Sequence, residues 1–399
     1  MRVLGCSGSL DGGGSERQLW QLLTQLEPPQ FESHLYLHYR RGVYLDRIPT
    51  RIPVTSFWED ISEKTRFWPG GIHRRQVAHL KQTLADAQID LVYDRTFHMT
   101  LVTAPACRSA GVPRVSVIVS PPSRDFASSP EHFHWLKRRL LRRAYADPRA
   151  VAVAVSNTVA IDAAEYYRLD REAIRVIPSP VDIEGIRLSS QQASPGPPAA
   201  ASEPGLLPAP KIHSTATPFR VLVVGRLSAE KGQQEALRAV SLVREQGYNI
   251  ELQLVGDGPD RPKLEALARQ LHLESSVFFS GYLENPYPQL RSADLLCIPS
   301  EYEGLANVAL EAMVLGTPIL STDAGGSMRE LLGQNTRGVC VPVANPRTLA
   351  DGMIDCLEDP ASGTQRAKLA EQYVEQYHAL PTWLETMREL FGEIFQRDR

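Results

Sequence analysis

Six short runs in the second half of the chain are apolar almost without interruption: FRVLVVG from Phe219, IELQLVG from Ile250, VFFSG from Val277, DLLCIP from Asp294, TPILST from Thr317 and GVCVP from Gly338. A strand with one wet face alternates apolar and polar residues, whereas a continuous run rich in β-branched residues must be covered on both faces. Helical patterns lie between the runs, for example Ala236, Leu237, Val240 and Val243 at i, i+1, i+4 and i+7. Strand and helix alternating at this pace predict right-handed crossovers and a parallel sheet. The first half repeats the theme with RVLGC, SHLYLH, DLVYD, PRVSVIV, AVAVAVS and AIRVIP. The expected fold class is therefore α/β, with two Rossmann-like, doubly wound parallel-sheet domains. Ligands of such sheets bind at the carboxyl ends of the strands, so an interdomain cleft is the expected site.

The boundary between the domains is marked by composition. LSSQQASPGPPAAASEPGLLPAPKIHSTATP, residues 188–218, has no aromatic residue, little charge and much Pro, Ala and Ser, so it cannot build a core and reads as a linker. The predicted organisation is a first Rossmann-like domain over 1–187, the linker over 188–218, a second Rossmann-like domain over 219–380, and a C-terminal helix over 381–399 that packs back on the first domain. With 399 residues, 43% of them hydrophobic, the chain can bury a sizeable core. No run approaches the ~18 apolar residues needed to cross a bilayer, and the start, MRVLGCSGSLDGGG, lacks a signal-peptide core, so a cytoplasmic location is expected. The five cysteines, Cys6, Cys107, Cys297, Cys340 and Cys356, are widely spread, which argues for buried thiols and against a disulfide framework or a zinc site. Charge is uneven: residues 1–187 carry 25 Lys+Arg against 20 Asp+Glu, the remainder 18 against 26. The basic half is the one suited to an anionic surface.

Two segments carry the chemistry. PSEYEGLANVALEAMVLGTPIL, Pro299 to Leu320, follows the DLLCIP strand, so its loop lies at a strand's carboxyl end and a helix is predicted to begin near Asn307, a good N-cap type. Glu303 and Glu311 bracket seven residues, Gly304 lets a ligand approach the backbone, and the amides of Asn307 and Val308 offer an anion site at the helix start. Two carboxylates beside a phosphate are repulsive unless they face hydroxyls, which sugar and ribose rings supply. GRLSAEKG, Gly225 to Gly232, leaves the FRVLVVG strand, and there Arg226 and Lys231 can hold a diphosphate as a fork and a point charge. The order Gly-Lys-Ser/Thr of a Walker A loop is absent.

Taken together and in order, these motifs resemble the retaining glycosyltransferases of the GT-B fold, glycosyltransferase family 4, whose members use nucleotide-diphosphate sugars. The resemblance runs over nearly the whole chain: Gly12, Gly13 and Gly14 followed by Glu16, VSNTV from Val155, IPSPVD to Asp182, GRLSAEKG, VGDGP, FFSGYLEN, PSEYEGLANVALEAM and DAGGSMREL. It implies that Arg226 and Lys231 bind the diphosphate and support the departing nucleotide, that Glu303 contacts the transferred sugar and Glu311 the ribose. It further implies that the amides of Asn307 and Val308 touch phosphate, that the backbone at Tyr282 and Leu283 meets the nucleobase, and that Gly13 and Gly14 let the first domain approach the donor. No metal and no cofactor are expected, since Arg and Lys supply the charge and the chain has no Asp-x-Asp pair.

The resemblance makes residues 1–187 the acceptor side and 219–380 the nucleotide-sugar-binding side, and the pattern departs from the family at two places, the first being Ser179-Pro180 where Asn-Pro or Asn-Gly is usual before Val-Asp. At the second, many members carry a His after the fifth strand of the first domain; here PRVSVIV runs into Ser120, Pro121 and Pro122. His98, with Arg95 and Asp94 as alternatives, is the candidate substitute. HFHWLKRRLLRRAY, residues 132–145, is the densest basic run, and on a helix Phe133, Leu136, Leu140 and Ala144 share one face with Arg138, Arg139 and Arg142 opposite. The apolar face either packs on the first domain or, with Trp135 at headgroup level, docks on anionic lipid. The expected activity is transfer of a hexose from a nucleotide-diphosphate sugar to a saccharide or lipid-linked hydroxyl. The rivals are a nucleotide-sugar epimerase or hydrolase of the same architecture and a non-catalytic nucleotide-sugar-binding subunit. Nucleic acid is not an expected partner, because net charge is negative and no nucleic-acid motif is present.

Overall fold

The computed structural model describes residues 1–60, 70–128, 133–192 and 217–397. Most of the predicted linker, residues 193–216, lies outside them. The chain forms two compact units, Met1–Pro180 with Pro381–Arg399, and Val181–Leu380.

The first unit holds a sheet of seven strands: β1 (Arg2–Ser7), β2 (Glu32–Leu37), β3 (Val54–Ser56), β4 (Leu91–Arg95), β5 (Arg114–Ile118), β6 (Ala150–Ala154) and β7 (Ile174–Val176), in the order β3-β2-β1-β4-β5-β6-β7. The second holds six: β8 (Phe219–Val224), β9 (Ile250–Val255), β10 (Val277–Gly281), β11 (Leu295–Ile298), β12 (Ile319–Thr322) and β13 (Val339–Val341), in the order β10-β9-β8-β11-β12-β13. The pairings are parallel throughout, for example Val221 opposite Leu252 and Leu296 opposite Ile319. Three-residue β3 is the one strand that the apolar runs did not reveal, being too short to show a pattern.

Both faces of the second sheet are covered, and the strands show it residue by residue. Val221, Val223, Leu252, Leu254, Leu295 and Cys297 enter one apolar cluster, with Ala236, Leu237, Val240 and Val243 of the helix Gln233–Glu245 and Met353 of the helix Pro346–Glu358. Their neighbours Leu222, Val255, Leu296 and Ile298 enter the opposite cluster, with Ala309, Leu310, Ala312 and Met313 of the helix Asn307–Leu315. Successive side chains point to opposite faces of a strand, so a strand sandwiched between helices is apolar on both faces wherever the helices cover it, while Arg220, Glu251 and Gln253 of β8 and β9 are not buried. Side-chain burial at about 1.5–3 kcal/mol for each large residue is the main force holding these layers.

The segment Ile183–Ser189 forms a helix of the second unit, whose Ile186 packs with Leu310 and Met313; the unit therefore starts at Val181, inside the stretch assigned from sequence to the first domain. The helix Leu380–Arg397, from Pro381 on, belongs to the first unit. There Phe391 meets Phe31 and Tyr93 edge-on at 6.4 and 6.1 Å, and Arg388 donates to the Gln25 carbonyl at 2.9 Å. The five cysteines are buried thiols. Among the described residues no helix is long and apolar enough to cross a membrane.

The order of each sheet reverses beside its first strand, at β1 and at β8. At the carboxyl end of β8 the backbones come very close. Gly256, at φ +136°, sits where a Cβ would lie 1.9 Å from the Gly225 carbonyl oxygen. Gly256→Ala is therefore expected to cost about 1–3 kcal/mol of stability and to lower the urea-unfolding midpoint; an unchanged midpoint would contradict this packing.

Candidate functional site

The site is built from five loops at the carboxyl ends of neighbouring strands of the second unit. The β8 loop begins at Gly225, whose amide donates to the Val255 carbonyl at 2.9 Å, and Leu227 continues the contact by donating to Asp257 at 3.0 Å. Gly256 in turn donates to the Gly281 carbonyl at 2.8 Å, which fixes the segment carrying Tyr282 and Leu283 beside the end of β9. Tyr282 is exposed and Leu283 half-buried.

Arg226 is exposed, and its carbonyl is held by the buried Gln233, whose Nε2 donates at 2.8 Å. Five residues on, Lys231 ends a short helical turn, and Gly232 follows at φ +66°, its α-carbon so close to the β11 loop that a Cβ would meet the Pro299 carbonyl oxygen at 2.0 Å. A second bond joins the same loops, Glu301 donating to the Glu230 carbonyl at 2.9 Å. These backbone contacts set Lys231 against Glu303: Nζ lies 2.7 Å from Oε1, with the side chains 30% and 12% exposed. This is the distance of a charge-assisted hydrogen bond between an ammonium and a carboxylate largely withdrawn from water.

Glu303 has further supports. Ser300 Oγ donates to the same Oε1 at 2.7 Å, the Glu303 amide donates to the Ala324 carbonyl at 3.1 Å, and Ser327 Oγ donates to the Glu303 carbonyl at 2.7 Å. Gly304 is buried beside it. The helix Asn307–Leu315 starts three residues later. Its N-cap is Ala306, in extended conformation and with no side-chain cap bond, so Asn307 is the first helical residue rather than the cap that its type suggested. First-turn amides have no carbonyl of their own helix to bond, which leaves those of Asn307 and Val308 pointing out of the helix at the loop. Glu311, one turn further and on the Asn307 face, is 6% exposed.

Of the residues singled out from sequence, Gly225, Arg226, Lys231, Tyr282, Leu283, Glu303, Gly304, Asn307, Val308 and Glu311 thus lie on adjoining loops or the helix start of the second unit. Sequence reasoning missed Gln233, Ser300 and Ser327. The last two stand inside the motifs PSEYEGLANVALEAM and DAGGSMREL, but their partner Glu303 lies 3 and 24 residues away and only the fold brings it to them.

Gly13, Gly14 and His98 belong to the first unit. Gly13 caps the helix Gly14–Gln25, and the Glu16 carboxylate folds back over it, so that a Cβ on Gly13 would meet Oε2 at 2.3 Å. Burial raises the Glu16 carboxyl above its ordinary value, with Asp11 adding to the shift and Arg95 opposing it. His98 is exposed near the start of the helix Phe97–Ala110, its ring 3.9 Å from that of Phe97. His38 lies near it electrostatically: burial first, then His98 and His73, push the His38 imidazole down to about 4.

The two alternatives to His98 are structural. Asp94 is fully buried; its Oδ1 accepts from Thr100 at 2.6 Å and its Oδ2 from Thr103 and Ser116 at 2.6 and 2.8 Å, with Arg114 Nε at 3.9 Å. Burial raises its carboxyl against the pull of Arg114 and the hydroxyls. Arg95 is buried and donates to the Tyr93 hydroxyl at 2.9 Å.

The basic helix runs over His134–Tyr145, and its orientation differs from the one drawn from sequence. Leu141, Ala144 and Tyr145 pack inward, Arg138 lies over the Tyr166 ring, and Phe133, Trp135, Leu136 and Leu140 are exposed at 69, 68, 39 and 41%. The inward stripe is set by the last turn, where i, i+3 and i+4 are apolar, so Leu136 and Leu140 fall outside it. Residue 132 lies outside the described residues.

A model described as "Glycosyl transferases group 1" matches residues 209–376, and one described as "Glycosyltransferase Family 4" matches 12–184. Similar curated proteins include an alpha-D-kanosaminyltransferase of Streptomyces kanamyceticus, 32% identical over 40% of this chain and 40% of its own length. Another is an N-acetylgalactosamine-N,N'-diacetylbacillosaminyl-diphospho-undecaprenol 4-alpha-N-acetylgalactosaminyltransferase of Campylobacter jejuni, 30% identical over 35% of this chain and 37% of its own. The chain thus spans two fifths or less of the length of these relatives. Among solved structures, Anabaena Alr3699/HepE in complex with UDP-glucose superposes with a TM-score of 0.78 at 23% identity, covering 98% of this chain and 100% of that one. WaaG, a glycosyltransferase involved in lipopolysaccharide biosynthesis, does so with a TM-score of 0.71 at 17% identity, covering 98% and 99%.

The role given to Asp94 can be checked. Asp94→Ala strands the buried Arg114 cation and three hydroxyls, and should cost about 3–5 kcal/mol in urea unfolding; a loss below about 1 kcal/mol would show that the network is not structural.

Proposed function

The chain belongs to the GT-B glycosyltransferases of family 4 type, matched over both halves, and from that premise we propose that it moves a hexosyl group, with retention, from a nucleotide-diphosphate sugar to a saccharide or lipid-linked hydroxyl. The observation that carries this reading is the contact between Lys231 and Glu303 at 2.7 Å, beside Arg226 on one loop and an uncapped helix start on the other. It combines fixed cations, helix amides and acidic acceptors at one strand end. A diphosphate needs the first two, and hydroxylated rings need the third.

The chemistry follows from charge. Breaking the anomeric C–O bond leaves an oxocarbenium-like carbon, and the bonding pair departs on the diphosphate oxygen; the acceptor oxygen makes the new bond and gives its proton to the departing diphosphate. Negative charge therefore grows on the diphosphate along the reaction path. Lys231, already held by Glu303, and Arg226 on the same loop stabilise that charge more in the transition state than in the ground state. The amides of Asn307 and Val308 contribute in the same sense. Glu303 accepts from hydroxyls of the transferred sugar and Glu311 from those of the ribose, so each acid meets a donor rather than the phosphate. His98, an exposed imidazole of the first unit, is the candidate for contact with the reacting sugar or acceptor.

With two cations at the diphosphate, the reading needs no divalent metal to neutralise the leaving group. UDP-glucose, with which an Anabaena structure is in complex, is the first donor to try, and the undecaprenol-linked substrate of the Campylobacter relative makes a lipid-linked acceptor the first class to test. The reading includes a location on the cytoplasmic side with peripheral contact to an anionic membrane. That contact runs through residues 132–145, where Phe133, Trp135, Leu136 and Leu140 stand out beside exposed Arg139, Arg142 and Arg143. Each cation near an anionic surface adds roughly 1 kcal/mol, and the exposed rings suit headgroup depth.

The donor is found by a thermal-shift screen of nucleotide-sugars, in which a ligand at a hundred times its dissociation constant stabilises by ~2.7 kcal/mol. With that donor, Arg226→Ala and Lys231→Ala are each expected to slow transfer by roughly a hundredfold or more. Turnover of both variants within a few-fold of the unaltered chain, or free sugar released at full rate without acceptor, would refute the transferase assignment. EDTA should leave the rate unchanged, and a rate abolished by EDTA and restored by a divalent cation would contradict metal independence. Vesicles containing phosphatidylglycerol should sediment the chain in a salt-sensitive way, and Trp135→Ser should weaken this; no binding at low salt would eliminate the membrane contact.

A further inference from the structure

Glu303 is held by two side-chain donors, and the way it is held separates its two oxygens. Oε1 accepts from Lys231 Nζ and from Ser300 Oγ, each at 2.7 Å, while Oε2 has no hydrogen-bond partner among the described residues. The backbone on either side is fixed as well, by Ala324 through the amide and by Ser327 through the carbonyl. Ser300 and Ser327 are 2% and 1% exposed, so their hydroxyls find their partners inside the protein. Ser300 is itself anchored, because the Thr322 hydroxyl at the end of β12 donates to its carbonyl.

The terminal torsion of a glutamate is broad and roughly two-fold, so a single ammonium contact leaves the two oxygens free to exchange. A second donor on the same oxygen removes that freedom. We propose that Ser300 is a positioning residue which locks the Glu303 carboxylate with Oε1 on the Lys231 cation and Oε2 presented to the ligand. An ionised carboxylate oxygen only accepts, so the group it takes is a hydroxyl donor, and the selected ligand class is one whose sugar keeps a free hydroxyl there. Lys231 and the sugar are thereby read by opposite oxygens of one side chain, with Ser300 deciding which is which. This rests on the reading of Glu303 as the sugar contact.

The experiment is a double-mutant cycle on the full chain, with the donor identified by the thermal-shift screen and with its nucleoside diphosphate alone. Ser300→Ala is expected to lower kcat/KM for transfer about tenfold, while changing kcat/KM less than about twofold when introduced into Glu303→Gln. Binding of the bare nucleoside diphosphate to Ser300→Ala should stay within about twofold, since that ligand has no sugar for Oε2 to hold. The proposal is overturned if Ser300→Ala transfers at nearly the normal rate, if it loses the same factor in the Glu303→Gln background, or if it loses the bare diphosphate as well. Failure of the unaltered chain to bind any nucleotide-sugar would instead remove the reading of Glu303 itself, and this inference with it.

Discussion

A parallel sheet covered by helices on both faces leaves little room for charge in the middle of its strands. Val221 to Val224 and Leu295 to Ile298 supply apolar side chains to both layers in turn, and any polar group placed among them would have to be satisfied internally. Asp94 shows the cost in the first sheet: one buried carboxylate takes three hydroxyls and an arginine to accommodate. The chemistry is therefore pushed to the strand ends, where loops from five parallel strands emerge side by side and the helix amides face out. The location of the site follows from this constraint before any of its residues is considered.

At those ends, close backbone approach does the positioning. Gly232 against Pro299 lets the loops of the non-consecutive strands β8 and β11 touch, and Gly256 against Gly225 does the same for the consecutive strands β8 and β9. The first contact brings an ammonium and a carboxylate to 2.7 Å across 72 residues of sequence. The pair holds Lys231 in place without consuming both oxygens of Glu303. A cation presented in advance to an incoming anion needs no reorganisation when the leaving-group charge develops, and such fixed groups stabilise a transition state most effectively.

Much of this was legible beforehand. Apolar runs revealed twelve of the thirteen strands found among the described residues, and the residues following the runs at Phe219 and Asp294 lie on adjoining loops. What escaped was short or nonlocal. The strand Val54–Ser56 has too few residues to carry a period. The helix Ile183–Ser189 has the composition of either unit, and only its packing on Leu310 and Met313 assigns it. Asn307 has the side chain of a cap but follows Ala306, whose extended backbone takes that place. In the helix His134–Tyr145 the apolar residues outnumber one stripe, and the sequence does not say which of them face the core.

The sequence by itself determined the layered α/β architecture and the positions of the two candidate loops, because apolar periodicity and the order of strand, loop and helix are local properties of the chain. The contact of Lys231 with Glu303, the division of Glu303 between Oε1 and Oε2, the confinement of Asp94 to a structural network and the outward turn of Trp135 and Leu140 were decided only by the tertiary structure. Each depends on which segments, distant in sequence, the folding of a sheet brings within hydrogen-bonding or van der Waals reach, and a one-dimensional pattern does not contain that distance.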